Sequence, residues 1–190
     1  DKYSDVLLMT AWHNPFQPSR ETMRMSPHVR FSTQSTDHAT IMREFTAENG
    51  IDPKRVIHLA PKVNFMMPRF YKQTDIGLFP NRCEGGTNLV LMEYMACGLP
   101  TIASFSTGHR DILTNENSLP LRQLNPMAMD RDGQVVAQWD EPNLDEVVAT
   151  LEDAYLHRDR LKPIAQQAAA DLRRCTWRAT AEQFLKVMTQ

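Results

Sequence analysis

The sequence predicts an α/β fold in which helices cover both faces of a parallel sheet. Short apolar runs of strand length recur along the chain, and they are continuous rather than alternating, as is typical of strands buried on both faces. Segments with helical periodicity separate these runs, so each strand leads into the next through a helix. A chain of 190 residues is long enough to bury the core of one such domain. The predicted strands are residues 6–12, 56–60, 76–80 and 101–104.

The first predicted strand is followed by a polar segment, residues 12–37, which we expect to be a long loop at the carboxyl end of that strand. Ligands bind at this edge in open α/β sheets. Helices are then predicted over residues 38–49, 67–74 and 88–97, the first of them ending at Gly50.

The later part of the chain changes in character. Residues 125–140 lack sustained periodicity and contain the turn pair Asp132-Gly133, which predicts a loop or a small hairpin. Asn143 and Glu146 then have the spacing of a capping box at the start of a helix. A last helix is predicted around Trp177, with apolar residues along one face.

Composition argues against several classes of protein. A formal net charge of −2, with scattered basic residues, disfavours nucleic-acid binding. No apolar run is long enough to span a bilayer and the first residues lack the layout of a secretory signal, so we expect a cytoplasmic protein, attached at most peripherally to the inner face of a membrane.

The three cysteines are expected to be reduced. The six histidines lack the close spacing of a zinc site, which predicts no bound metal.

The stretch that carries chemistry is residues 81–104, NRCEGGTNLVLMEYMACGLPTIAS. It has the layout of a turn after a strand, then a helix closed by a glycine and a proline, then a further strand. Gly85 and Gly86 would let a phosphate approach the backbone closely, and the free N–H groups at the start of the helix favour an anion. Two glycines alone would be a weak signal.

Two acidic residues strengthen the prediction of a binding site in this stretch. Glu93 has apolar helical neighbours and no basic residue three or four positions away, so we expect it to be largely buried and to need hydrogen-bond donors. A ribose diol would provide them, and a distant arginine or a backbone amide would do so equally well. Glu84 precedes the helix, and it either meets sugar hydroxyls or is a solvated loop acid favoured by the helix dipole.

The stretch from Glu84 to Pro100 resembles the C-terminal signature of the family-four retaining glycosyltransferases of GT-B fold, which is a Glu, seven residues, a second Glu and Ala-x-Gly-x-Pro. Residues 67–80, MPRFYKQTDIGLFP, and the turn TGHRDIL beginning at Thr107 are similar to the adjoining parts of that family. The resemblance implies that residues 1–190 form a single Rossmann-like, nucleotide-sugar-binding domain. This domain would be the C-terminal half of a two-lobed enzyme whose N-terminal acceptor lobe is absent from the chain.

The resemblance also implies an activity. The full enzyme would transfer a hexosyl group from a nucleoside-diphosphate sugar to an acceptor with retention at the anomeric carbon, without a cofactor or an obligatory metal. Its partners would be the nucleotide sugar, an acceptor and its own N-terminal lobe. The isolated domain would show no sugar transfer.

Residue roles follow from the same resemblance. The first acid, Glu84, would contact the donor sugar and is the catalytic candidate, while Glu93 would hold the ribose. The amides of the turn would hold the diphosphate, and residues after the strand that ends at Ala60 would meet the base. The other donor-binding candidates are Gly85, Gly86, Thr87, Asn88, Leu89, Lys62, Val63 and Arg82.

Three features depart from the family pattern. Eight residues rather than seven separate Glu84 from Glu93, and Asp111 replaces the usual Glu of the later turn. The family's opening strand, whose Gly-Arg and following Lys neutralise the diphosphate, is not visible before the first residue, which indicates truncation or divergence. Arg20, Arg82 and Lys62 are the candidate substitutes for those cations.

Two other functions stay open at this point. A nucleotide-sugar epimerase has the same two-lobed fold, although no acid-base residues for it can be assigned here. A non-catalytic domain that keeps the fold for partner binding would tolerate both the extra residue and the missing strand.

Overall fold

A computed structural model describes residues 2–13 and 16–189, so residues 1, 14, 15 and 190 lie outside the described part of the chain. The chain divides into two compact units, Asp1–Met67 and Pro68–Gln190, which are described separately below.

The first unit contains a two-stranded parallel sheet of β1 (Leu8–Thr10) and β2 (Val56–His58), in which Thr10 lies opposite His58. Both strands are shorter than predicted but lie within the predicted runs. The helix α2 (His38–Glu48) follows the predicted bounds because Asp37 caps its start through the N–H of Thr40. It ends where Gly50 takes a φ of 66°.

The segment of residues 12–37 is not a loop throughout, because it contains the helix α1 (Gln17–Arg24). The sequence prediction was wrong here because α1 is polar and shows no apolar stripe. The helix is held by its last residue. Arg24 forms an ion pair with Glu21 and donates a hydrogen bond to the carbonyl of Thr33.

The second unit contains a three-stranded parallel sheet in the order β3 (Gly77–Phe79), β4 (Thr101–Ser104) and β5 (Leu119–Leu121). On one face, Ala103 of β4 belongs to a cluster with residues of the helices α4 (Leu89–Ala96) and α6 (Leu161–Leu172). On the other face, Ile102 packs in a cluster with α5 (Leu144–Leu156). Helices therefore cover both faces of this sheet, as the sequence predicts. The remaining helices are α3 (Met67–Tyr71) and α7 (Trp177–Met188).

Residues 125–140 lie within an antiparallel hairpin of β6 (Leu124–Arg131) and β7 (Gln134–Pro142). Asp132 and Gly133 form its two-residue turn, with φ values of 55° and 78°. Two positive φ angles are what the tight turns of hairpins require, so the hairpin alternative is the correct one.

The capping box at the start of α5 is only half formed. Asn143 caps the helix by accepting from the N–H of Glu146. The carboxylate of Glu146 accepts from the N–H groups of Arg122 and Gln123 instead of returning to Asn143. Glu146 therefore ties α5 to the end of β5.

The last helix, α7, is amphipathic but buries none of its residues, all of which are described. Trp177 is 90% exposed. Within the described residues, no helix is both long enough and apolar enough to cross a membrane.

Candidate functional site

The candidate site is built on the connection between β3 and α4. The helix begins after Asn88, whose side-chain oxygen accepts from the N–H of Leu91 at 3.1 Å. Leu91 and Met95 of the same helix are fully buried in the core. The cap and the buried side chains together place the start of α4 at the carboxyl end of the parallel strand, which is the edge where α/β sheets bind ligands.

The turn before α4 offers several unpaired backbone donors. The backbone N–H groups of Gly85, Gly86, Thr87, Asn88 and Leu89 donate to no other described residue. A side chain at Gly85 or Gly86 would meet nothing within 4 Å, so the space beside these two residues is open. Free N–H groups at the positive end of a helix dipole, with open space in front of them, are well suited to bind a phosphate.

A second turn packs against the turn that precedes α4. It follows β4 and covers Thr107–Asp111. A Cβ atom on Gly108 would lie 1.6 Å from the carbonyl oxygen of Gly86, so only glycine fits there. The hydroxyl of Thr107 accepts from the N–H of Glu84 at 2.9 Å. These contacts lock the turn after β3 to the turn after β4.

Glu84 is half-buried and is held through one of its two carboxylate oxygens. Its Oε1 accepts from the side-chain amides of Asn81 at 2.8 Å and Asn88 at 3.0 Å. Its Oε2 accepts no hydrogen bond from the other described residues. The carboxylate thus has a fixed orientation and a free acceptor oxygen.

His109 was not predicted to belong to the site, and it reaches it through Asn88. The side chain is 1% exposed. Its Nδ1 lies 2.9 Å from the carbonyl oxygen of Ser104, and its Nε2 lies 3.2 Å from the side-chain nitrogen of Asn88. A carbonyl oxygen can only accept, so Nδ1 carries the proton and Nε2 accepts from Asn88. The sequence predicts His109 to be a turn residue at the ligand edge, but Asn88, through which it reaches the site, lies 21 residues earlier.

Glu93 lies one turn into α4, roughly 6 Å along the axis from Leu89 at 1.5 Å per residue. Most of its surface is buried, as the sequence predicts. Its Oε2 accepts from the hydroxyl of Tyr71 on α3 at 3.1 Å. Burial, together with the hydrogen bond to Glu93, raises the pKa of Tyr71 above its usual value, so the phenol remains a donor.

Arg82 faces the hairpin. Its guanidinium forms a two-pronged ion pair with Glu141 of β7, and its carbonyl accepts from the N–H of Asp140 at 3.0 Å. Binding a phosphate through Arg82 would therefore require it to exchange Glu141 for the new anion.

Lys62, Val63 and Arg20 belong to the first unit, whereas the other candidate residues belong to the second. Lys62 and Val63 are exposed in the segment after β2, and Val63 precedes a short 3-10 turn, Asn64–Met66. Arg20 lies on α1 and donates to the carbonyl of Ser35.

A family comparison decides the assignment. Residues 27–151, more than half of the chain, match the family described as glycosyl transferases group 1. The chain belongs to this family.

Solved structures agree with a glycosyltransferase fold. The chain aligns with a sucrose-phosphate synthase from Thermosynechococcus elongatus at a TM-score of 0.64 and 17% identity, covering 98% of this chain and 45% of that one. It aligns with Anabaena Alr3699/HepE, solved in complex with UDP-glucose, at a TM-score of 0.61 and 14% identity, covering 97% and 48%. None of the curated protein sequences matches the chain significantly.

One further structure is itself a single lobe. It is the C-terminal domain of a glycosyl transferase group 1 family protein, LpcC, from Francisella tularensis, with a TM-score of 0.52 and 16% identity, covering 87% of this chain and 82% of that one. The group 1 glycosyltransferase chain therefore has the Rossmann-like α/β fold of a GT-B C-terminal lobe. It spans 45% and 48% of the two longer structures named above.

Metal-binding and nucleophilic side chains are the other possible sources of chemistry in this glycosyltransferase. In the part of the chain that the structure describes, no three His, Cys, Asp or Glu residues come together to hold a metal ion. All three cysteines are free thiols. Burial raises the pKa of the Cys97 thiol, which makes it a poor nucleophile.

Proposed function

We propose that the chain binds the nucleoside-diphosphate sugar of a retaining hexosyltransferase, as the donor half of a two-lobed enzyme. The observation that carries this proposal is the turn from Gly85 to Asn88. Its free N–H groups lie at the positive end of α4, between a carboxylate with a free oxygen, Glu84, and a carboxylate one helical turn along, Glu93.

We assign the diphosphate, the ribose and the sugar of the donor to groups of the second unit. The diphosphate is bound by the N–H groups of Gly86, Thr87 and Asn88, assisted by Gly85 and Leu89. The ribose hydroxyls donate to Glu93, which also accepts from Tyr71. The sugar hydroxyls donate to the free Oε2 of Glu84. Lys62 and Val63 of the first unit are the candidates to contact the base, as the family resemblance implies.

The chemistry is electrostatic. The bond from the anomeric carbon to the diphosphate oxygen breaks while the oxygen of the acceptor hydroxyl bonds to the same face of that carbon, and the proton of that hydroxyl passes to the departing diphosphate. Negative charge then accumulates on the leaving diphosphate, where preoriented N–H groups and the dipole of α4 stabilise it most. Arg82 contributes a further cation if the diphosphate displaces Glu141. No cofactor and no obligatory metal is needed for this step.

The second lobe supplies the acceptor site, and its closure over the donor excludes water. Support for a nucleotide-sugar donor comes from family membership and from Alr3699/HepE, whose structure contains UDP-glucose. A cytoplasmic location, with at most peripheral membrane attachment, stays a prediction from the sequence.

The test is calorimetric titration of the chain with UDP, GDP and ADP, with and without EDTA. We expect one nucleoside diphosphate to bind with a stoichiometry of one and with EDTA having no effect. If none of the three binds to folded protein, the donor-domain proposal is wrong. If binding requires a divalent cation, the metal-free part of the proposal is wrong.

A further inference from the structure

We propose that His109 is a positioning residue that fixes the side-chain amide of Asn88 and, through it, the carboxylate that selects the donor sugar. This inference rests on the proposed function of Glu84. His109 does not touch the donor. It acts through a chain of hydrogen bonds that runs from the centre of the sheet to the sugar-binding carboxylate.

This series of hydrogen bonds begins at a rigid point of the sheet. Ser104 is the last residue of β4, the central strand of the sheet, and it is fully buried. Its carbonyl oxygen accepts from Nδ1 of His109, and the N–H of His109 donates to the carbonyl of Ser106 at 3.1 Å. Both the backbone and the ring of His109 are therefore fixed relative to the sheet. Because Nδ1 carries the proton, Nε2 presents a lone pair toward Asn88.

Asn88 has three hydrogen-bonding tasks and can perform them in only one orientation. Its oxygen caps α4 at Leu91, so its amide nitrogen must point the other way. The two N–H bonds of that nitrogen go to Oε1 of Glu84 and to Nε2 of His109. Asn88 is buried, so an N–H bond left without an acceptor would carry the cost of an unpaired buried donor.

Removing the acceptor on His109 therefore affects Glu84. The Asn88 amide would rotate to pair its orphaned N–H bond, and Oε1 of Glu84 would lose one of its two anchors. The free oxygen, Oε2, would no longer point in a single direction. The turn cannot compensate by shifting backwards, because Gly108 already contacts the carbonyl of Gly86.

Two matched substitutions separate the two ends of the ring. His109→Gln places an oxygen where Nε2 lies and so keeps an acceptor for Asn88, while it loses the donor to Ser104. His109→Asn keeps a donor near the position of Nδ1 and loses the acceptor for Asn88. Both variants are polar amides that disturb the packing to a similar extent. A merely structural role predicts similar effects for both.

The readout is the ratio of the dissociation constants for the nucleotide sugar and the bare nucleoside diphosphate, measured by calorimetry on the full chain. The probes are UDP with UDP-glucose, GDP with GDP-mannose, and ADP with ADP-glucose. The pair used is the one whose nucleoside diphosphate binds most tightly to the parent chain. Glu84→Ala provides the size of the effect when the sugar contact is lost altogether.

We expect His109→Asn to change this ratio by about three- to tenfold in the same direction as Glu84→Ala, which corresponds to one hydrogen bond. We expect His109→Gln to stay within about twofold of the parent chain, and both variants to bind the diphosphate itself as the parent does. Equal ratios in the two His109 variants, or a ratio unchanged in His109→Asn, would overturn the inference while leaving the proposed function intact.

A measurement without ligand keeps the inference testable if a variant does not fold. Nitrogen-15 NMR of the parent chain should show that Nδ1 of His109 carries a proton and that Nε2 does not. It should also show an Asn88 side-chain amide that exchanges slowly with water. A proton on Nε2 would overturn the inference. Failure of every nucleotide to bind is instead a failure of the proposed function, and the inference about sugar selection falls with it.

Discussion

The two acids of the motif are held by different kinds of partner. Glu84 is anchored by neutral side-chain amides on the turn, whereas Glu93 is anchored by a phenol from a neighbouring helix. The amides bind only one oxygen of Glu84. Their separate supports mean that each carboxylate can be altered without moving the other, so their roles can be tested separately.

Our first prediction concerns these two acids. Glu93→Ala should weaken the binding of the preferred nucleoside diphosphate about ten- to hundredfold, because hydrogen bonds to a charged group contribute roughly 1.5–3 kcal/mol. Glu84→Ala should leave that affinity nearly unchanged and should reduce sugar transfer in a parent enzyme with both lobes. Calorimetry and circular dichroism of the folded variants check this. If Glu84→Ala is the variant that loses the nucleotide, the donor lies in the opposite direction along α4.

A second prediction concerns Tyr71. Tyr71→Phe removes the donor that orients Glu93, so affinity for the same diphosphate should fall by about two- to tenfold. Tyr94→Phe is the matched control, because the hydroxyl of Tyr94 pairs with Thr74 and not with Glu93. Equal affinities in the two variants, measured by calorimetry, would show that Tyr71 does not support the ribose site.

The third prediction concerns His58 in the first unit. Its two ring nitrogens each lie 2.8 Å from a threonine hydroxyl, those of Thr10 and Thr46. Thr46 donates to the carbonyl of Met42, so it accepts from Nε2 of His58, and the neutral ring satisfies both threonines. Burial, followed by the charge of His38, lowers the pKa of His58 below its usual 6.5.

On acidification, His58 is therefore protonated at a higher pH in the unfolded chain than in the folded chain. The free energy of unfolding should fall as the pH drops from about 6.5 through the lowered folded-state pKa of His58. Urea unfolding at a series of pH values measures this, and His58→Gln should reduce the slope in that window. An identical slope in the parent and His58→Gln would contradict the prediction.

At the level of elements, the two turns after β3 and β4 form a single structural unit. Thr107 and Gly108 contact the backbone of Glu84 and Gly86, so the turn proposed to bind phosphate is shaped partly by residues more than twenty positions later. The resemblance of TGHRDIL to a family turn therefore corresponds to a physical contact with the motif.

Gly108→Ala tests this coupling and is our fourth prediction. The added methyl group would collide with the Gly86 carbonyl, so we expect a loss of about 1–3 kcal/mol in the free energy of unfolding, as for other overpacked sites. Gly85→Ala is the control, because a Cβ there meets nothing within 4 Å, and it should change stability by less than about 0.5 kcal/mol. Similar urea midpoints for both variants would argue against a locked pair of turns.

Elements with local signals were predictable from the sequence. The start of α4, the end of α2 and the hairpin turn depend on Asn88, Gly50 and Asp132-Gly133, which act over a few residues. The helix α1 was missed because its stabilising contacts, such as that from Arg24 to Thr33, lie outside it.

The site was predictable in part for the same reason. The turn, its free N–H groups and the two acids are adjacent in sequence, so a motif can contain them. Tyr71 contacts Glu93, and His109 contacts Asn88, only through tertiary packing, and no spacing rule indicates such partners. The Arg82 pair with Glu141 likewise depends on the hairpin folding back toward the motif.

At the scale of the whole molecule, the chain corresponds to under half of the two longer solved structures that it matches. The second unit contains the complete turn and both acids, but nothing in the proposed mechanism binds an acceptor there. The apolar residues of α7, Trp177 and Phe184 among them, are largely exposed.

The fifth prediction follows from this. The purified chain should show no sugar transfer with any donor and acceptor, because the acceptor site and the exclusion of water require a second lobe. A product assay with UDP-glucose, GDP-mannose and ADP-glucose checks this. Sustained turnover by the purified chain would overturn the half-enzyme interpretation.

The locked turns also limit how this lobe could be re-engineered. One way to change the donor preference of such a protein is to replace the loop from Asn81 to Asn88 with that of a relative. A transplanted loop with a different path at Gly86 would strike Gly108, and one lacking Asn88 would leave His109 without its partner. The part of the chain to be exchanged is therefore discontinuous, because residues 81–88 and 107–111 would have to be replaced together.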